Sequence, residues 1–499
     1  MDTRRTSKVL TLAAALLGTA LALLSLDASA LPIFARQTGQ NCLSCHAGGQ
    51  FPELTPYGRM FKMTGYTIGA RTLPFAVMGV LSDARVANTD KDPDPAQTFA
   101  KNGAPMFATG SLFIAGKVTD NIGAFAQVTY DNYNGQAVGA SGANDGKWLG
   151  HSAADNMDFR YADRLVDASR DLVFGVSLNN NPSVSDPWNT ASAWMQYVPD
   201  SGFGRSHQFS DANTPFPGNS TGSNVAGVTA YAYLNKAFYA ELGAYRTANR
   251  ALSFMSAGTA DADTTKLQGS NNPYWRLAYT HEWGPQNIMV GLSGMTAHVF
   301  DNTTVPSDSG AYNRVKTTGI DAQYQYLLDP HTITAQAVYQ RQKTDLSPNS
   351  IAAFDPTFGG LLVDPPLDAN GNPMPTPNTS NTVNIFRAKL SYIYRATYGG
   401  SVSYFNQTGT KDSAAMQGVW FDDLGNTADL RTATTGNLAG DPATRGMTFE
   451  AFWMPVQYVR IGAQYTAYNK FNGATDNYDG LGRNARDNNT LLFYVWGAY

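Results

Sequence analysis

The two cysteines of this 499-residue chain stand together as Cys42-Leu43-Ser44-Cys45-His46. Two thiols at that spacing can add to the vinyl groups of a haem, and the adjacent imidazole can ligate its iron, so the run reads as a haem c attachment site with His46 as proximal ligand. A thioredoxin-like dithiol belongs in a βαβ setting that the flanking sequence does not offer, and it would leave His46 without a role. A simple Cys42–Cys45 disulfide is the plainest alternative. The second axial position points to Met60 or Met63, which lie in Tyr57-Gly58-Arg59-Met60-Phe61-Lys62-Met63, a stretch that reads as a helical turn after Pro56. A thioether ligand raises the haem potential; the competing reading makes both methionines packing residues. Arg36, Arg59 and Lys62 could hold the haem propionates through charge-assisted hydrogen bonds, or could pair with a neighbouring wall.

The rest of the chain offers little other chemistry. His151, His207, His281, His298 and His331 are scattered and read as surface or lumen residues. Asp90, Asp92 and Asp94 could hold a metal briefly through hard oxygen ligands, but a solvated loop explains them as well. No catalytic triad, zinc pattern or phosphate loop is present, so no catalytic acid–base residue is assigned. The first 30 residues read as an export signal: Arg4, Arg5 and Lys8 precede an apolar run from Val9 to Leu24, and Ala28-Ser29-Ala30 offers a cleavage site before Leu31. Haem c is attached outside the cytoplasm, which agrees with export to or beyond a bacterial periplasm. The remaining chain carries 32 basic and 37 acidic side chains, a net charge of −5 that gives no reason to expect nucleic acid.

A haem site needs a scaffold, and the composition suggests which. The chain has 26 Tyr, 25 Phe, 8 Trp and 47 Gly but only 15% charged residues. That balance suits many strands with one lipid-facing surface. No stretch of 18 apolar residues follows position 30, so a membrane-spanning helix is not expected. From residue 73 to 499, period-2 segments alternate with polar connections. Six pairs are joined by tight turns: 111–118 with 122–130, 225–234 with 237–246, 274–283 with 288–299, 315–327 with 332–342, 383–394 with 400–405, and 447–453 with 457–468. The last of these turns is read at Met454-Pro455-Val456. A strand at Phe75–Asp83, a weaker pair at Met157–Asp163 and Leu172–Asn179, and a final strand at Thr490–Tyr499 bring the number to sixteen. Long polar connections at 84–107, 131–155, 179–224, 247–272, 300–312, 343–381, 407–444 and 469–487 separate the pairs. Seven tight turns at one end and eight long loops at the other predict an all-β, antiparallel outer-membrane barrel of about sixteen strands. In Ile320–Tyr326 one face reads Ile, Ala, Tyr, Tyr and the other Asp, Gln, Gln, as a lipid side and a polar lumen require.

Residues 31–72 remain as the haem-bearing unit. About 40 residues rarely bury a core unaided, so the segment is expected to plug the barrel lumen from the periplasmic side. The runs Phe34-Ala35-Arg36-Gln37-Thr38-Gly39, Cys42–His46, Phe51-Pro52-Glu53-Leu54-Thr55-Pro56-Tyr57-Gly58-Arg59, Phe61-Lys62 and Gly65-Tyr66 resemble the fused monohaem cytochrome–porins of the outer membrane. The resemblance covers about 35 residues; Met63 and the Gly48-Gly49 insert depart from it. It implies one covalent haem c and an electron path from an extracellular donor, foremost Fe(II), to a periplasmic cytochrome, which would make the chain an electron carrier or an Fe(II)-oxidising oxidoreductase. The alternatives are a solute porin with a haem-bearing plug or redox gate, and electron exchange with minerals, electrodes or other cells.

Overall fold

The computed structural model describes residues 33–49, 53–91, 102–138, 144–188, 224–257, 267–300, 312–347, 378–412, 441–478 and 482–499. The export signal expected at 1–30 lies outside the described residues, as do Phe51 and Pro52 of the resemblance, Asp92, Asp94, His207 and most of the long connections.

Sixteen antiparallel strands close into one barrel. In chain order they are β1 Phe75–Val86, β2 Met106–Lys117, β3 Ile122–Val138, β4 Asn144–Val166, β5 Asp171–Asn179, β6 Val225–Leu234, β7 Phe238–Thr247 and β8 Asn272–Trp283, followed by β9 Gln286–Phe300, β10 Tyr312–Leu328, β11 His331–Asp345, β12 Ser380–Tyr394, β13 Tyr398–Gly409, β14 Thr444–Val456, β15 Val459–Lys470 and β16 Thr490–Ala498. Each strand pairs with its sequence neighbours, and β1 closes on β16 from Met78↔Ala498 to Val86↔Thr490. Closure leaves no unpaired edge, a condition that a sheet must meet to cross a bilayer.

Side-chain alternation follows from the two-residue period of a strand. On β8, Tyr274, Arg276, Ala278 and Thr280 point inward and are buried, while Trp275, Leu277 and Tyr279 point outward. On β10 the inward set is Asp321, Gln323 and Gln325, the polar face that the sequence predicts. Leu242 is 65% exposed and Phe238 60%, with Leu277, Ile320, Leu390 and Phe449 similarly outward. Apolar residues outside and polar residues inside is the reverse of a soluble sandwich; it is the arrangement of a membrane-spanning barrel, with outer-surface contact to lipid.

Several strands run a few residues past their expected bounds, and two differences alter a connection. β3 and β4 continue into 131–155, paired through register shifts near Ala126, Asp131 and Gln136. Past the lipid zone both faces of a ribbon can be polar, so pairing continues where apolar alternation stops. The turn expected at Met454-Pro455-Val456 is instead strand: β14 runs to Val456, and the register slips between Trp453 and Val456. Pro455 has no N–H to give to the ladder, and the slip accommodates it.

Candidate haem site

The segment before β1 is a set of short helices: α1 Ile33–Thr38, α2 Cys42–Cys45 and α3 Pro56–Met63. Asn41 caps α2 by accepting from the Ser44 N–H at 3.1 Å. His46 ends it, its own N–H donating to the Cys42 carbonyl at 2.8 Å. The chain then doubles back: Ala47 N–H donates to the Glu53 carbonyl at 2.8 Å and Thr55 N–H to the Cys45 carbonyl at 2.9 Å. Thr55 caps α3 through the Gly58 N–H at 3.1 Å, and Pro56 at the start of α3 gives up a hydrogen bond that the first turn lacks anyway. α3 therefore lies directly against the attachment motif. A Cβ on Gly58 would stand 2.2 Å from the Cys45 carbonyl oxygen, so only glycine allows this approach.

The motif sits at the tight-turn end of the barrel. Cys42 N–H donates to Gln457 Oε1 at 3.4 Å, in the β14–β15 turn. Gly48, with a φ of 76°, presses against Ile393 at the β12–β13 hairpin. Elsewhere the segment is tied to other strands around the same mouth. Gln37 Oε1 accepts from Lys117 N–H on β2 at 2.9 Å, while its amide donates to the Tyr66 and Ile68 carbonyls. Tyr66 donates to Asp158 on β4 at 2.6 Å, and Tyr231 on β6 donates to the Met63 carbonyl at 2.6 Å. Buried polar groups satisfied across the two units fix the segment in one position.

The candidate residues divide by location. Cys42 and Cys45 are unbridged, and burial pushes both thiols up, Cys45 to about 11 with the neighbouring Cys42 adding to the effect. Burial pushes His46 down to about 4, with Glu53 opposing, so the imidazole is neutral at pH 7 and has a lone pair to give a metal. Its Nδ1 is buried without a hydrogen-bond partner among the described residues. Arg59 is buried and donates to the Leu54 carbonyl at 2.9 Å, Gln325 at 3.1 Å and Asn287 at 3.0 Å. Lys62 donates to the Asp186 carbonyl at 2.7 Å, and Arg36 to the Phe75 carbonyl at the start of β1. Met63 is enclosed by Val173, Trp188, Tyr231, Tyr239 and Met289 on the β5–β9 wall, with Met60 beside it.

Beside the doubled-back loop that follows His46, on the β11–β15 side, lies a small, water-sized cavity lined by Ala47 and Glu53 of the segment and by Lys389, Ile393, Phe452 and Met454 of the barrel. Lys389 pairs with Glu53 at 2.7 Å, and Arg460, also on the cavity wall, pairs with Glu450 at 2.8 Å. Two unbridged thiols and a neutral imidazole at this spacing fit the covalent attachment of a haem c. Sequence alone offers no means of placing Lys389 of β12 beside the motif, because strand pairing brings positions more than 300 apart together.

A second inward feature fills the opposite side. After β5 the chain turns into the lumen through α4, Pro182–Ser185, and brings Trp188 to full burial. Arg276 binds Asp186 at 3.3 Å and Asp321 at 2.7 Å, and its guanidinium lies over Trp188. Among the described histidines, His151, His281 and His331 are exposed and His298 is half-buried. Asp90 is exposed, and no cluster of three or more His, Cys, Asp or Glu able to hold a metal ion occurs among the described residues.

No family model matches the chain, and no curated protein does. Solved structures similar to it include OmpF of Salmonella typhi in complex with daunomycin (10% identity, 85% of this chain and 97% of that one, TM-score 0.42). The outer membrane channel DcaP of Acinetobacter baumannii is also similar (12%, 85% and 96%, 0.41). So is an anion-selective porin from Comamonas acidovorans (10%, 85% and 99%, 0.35).

Proposed function

We propose that the chain is a c-type cytochrome of the bacterial outer membrane that carries electrons from an extracellular donor, foremost Fe(II), to a periplasmic cytochrome. The observation that supports this reading is the position of Cys42, Cys45 and His46: in a segment hydrogen-bonded into the mouth of a membrane-spanning barrel. A haem c held by Cys42, Cys45 and His46 would supply one-electron chemistry there, with no proton or bond exchanged. The chain's own residues supply the geometry. The even strand number returns both barrel ends to the tight-turn side, which in outer-membrane barrels faces the periplasm. A single macrocycle is much shorter than the hydrocarbon core of about 30 Å. A donor from the long-loop side therefore has to come down the polar lumen to reach the motif, while the acceptor docks at the mouth.

A second reading, a solute porin whose haem segment is a plug or redox gate, draws on the polar inward face of Gln323, Gln325, Gln340 and Gln464. Exchange with minerals, electrodes or other cells would use the same site with a different donor. Purified protein assayed in planar bilayers and by haem absorbance separates these. The conduit gives low conductance in both redox states and haem reduction by Fe(II). Conductance that switches with haem redox state, without reduction by Fe(II), would establish the gate instead.

A further inference from the structure

We infer that the outer surface of β10 and β11, at the long-loop end, is a binding site for a phosphate-bearing glycolipid of the outer leaflet. This inference rests on the barrel and its orientation, and is independent of the haem reading. Outward positions on the two strands alternate with the buried Val315, Thr317 and Gln340. Toward the long loops the outward positions turn basic: Arg314 and Lys316 on β10, and Arg341 and Lys343 on β11, are all exposed. The register sets Lys316 directly opposite Lys343 and Arg314 opposite Asp345, while Thr318 faces Arg341 one outward step below. Like charges directly opposite each other, about 5 Å apart, weaken a sheet unless an anion lies between them. Asp345 is the carboxylate on this face, 2.8 Å from Lys343 and 3.7 Å from Arg314. Among the described residues the flanking outward positions add no acid: they are Thr296 and His298 on β9 and Thr382 and Asn384 on β12. Four cations facing one carboxylate leave the patch strongly positive.

Height above the tight turn selects the ligand. Below the cations the outward face of β11 reads Ile333, Ala335, Ala337 and Tyr339, an apolar run closed by an aromatic residue. Arg341 follows, ten residues up from His331 at the turn. At 3.3 Å per residue and about 40° of tilt it stands roughly 25 Å from that turn, the height of the apolar band. The other three cations stand higher, where headgroups meet acyl chains. A phosphate carried on acyl chains is brought to this level by their insertion, whereas a free anion gains nothing from the apolar band beneath. Arginine grips phosphate oxygens two at a time and lysine adds a mobile point charge. Thr318, Thr382 and Asn384 beside them offer hydroxyl and amide groups to a sugar.

The test titrates the full-length protein in detergent with bis-phosphorylated lipid A. Mass spectrometry of the intact complex counts bound lipid, and heat-modifiable gel mobility reports the folded barrel. The wild type is expected to hold lipid A, and Lys316→Gln/Arg341→Gln/Lys343→Gln to bind it about a hundredfold more weakly. Lys316→Arg/Lys343→Arg should bind as the wild type does, as should Arg445→Gln, an exposed cation at the same end of β14. If the triple variant does not fold, Arg341→Gln alone replaces it, with a loss of about fivefold to tenfold. Undiminished binding by the triple variant, or equal binding of lipid A stripped of its phosphates, overturns the inference. So does full displacement of lipid A by millimolar inorganic phosphate at constant ionic strength, which would assign the patch to a free anion. A lipid-free wild type that self-associates, and comes apart in the triple variant, would make this face an interface between copies and overturn it too.

Discussion

Gly58 and Gly48 are both glycines pressed against a neighbour, but for different reasons, and they should respond differently to a methyl group. At Gly58 the obstacle is backbone, the Cys45 carbonyl at 2.2 Å from an added Cβ, so α3 must move off the motif. Gly58→Ala is expected to destabilise the segment by about 1–3 kcal/mol and to reduce haem incorporation, read as haem per folded barrel. At Gly48 the obstacle is the Ile393 side chain, whose tip can rotate away while its Cβ, 3.2 Å from an added Cβ, must give by a few tenths of an ångström, and the left-handed φ of 76° adds its own cost. Gly48→Ala should cost about 1–2 kcal/mol and keep most of the haem. Replacing both cysteines by serine should abolish haem retention on a denaturing gel while leaving heat-modifiable barrel mobility unchanged. At this scale the sequence singles out Cys42, Cys45 and His46 as the candidate attachment site, because attachment depends on local spacing. It could not show that Arg59 is committed to Leu54, Gln325 and Asn287, since those partners are set by strand pairing.

At the scale of elements, the strands were legible because each half-buried strand repeats with period two, and all sixteen lie where that period and the turn residues predict. The signal failed where its physical cause fades. In the far ends of β3 and β4 the sequence does not alternate apolar with polar residues, so nothing in it announces them. Pro455 reads as a turn, yet a register slip absorbs it within β14 and turns Met454 inward. The inward fold of residues 182–188, closed by Trp188 and Asp186, carried no periodic signal at all. The two faces of a strand should differ sharply under substitution. Leu242→Arg, at an outward position 65% exposed on β7, is expected to cost about 2–4 kcal/mol in a denaturant titration in lipid if it lies near the midplane. Leu242→Phe should be close to neutral.

For the whole molecule, two incomplete units complete each other. Residues 33–72 are too few to bury a haem alone, and a barrel of sixteen strands encloses a channel unless something fills it. Removing residues 33–72 should therefore leave a heat-modifiable barrel with a large, steady single-channel conductance that the intact protein lacks. The orientation of this pair also gives the proposed electron path a direction that can be tested in closed vesicles. Protein is inserted with its long loops outward, a soluble cytochrome c is trapped inside, and Fe(II) is added outside. Reduction of the trapped cytochrome, lost in the double cysteine-to-serine variant, is the expected result. Fe(II) that leaves both haems oxidised, or trapped cytochrome reduced equally well by the variant, would contradict electron passage through the Cys42–His46 site.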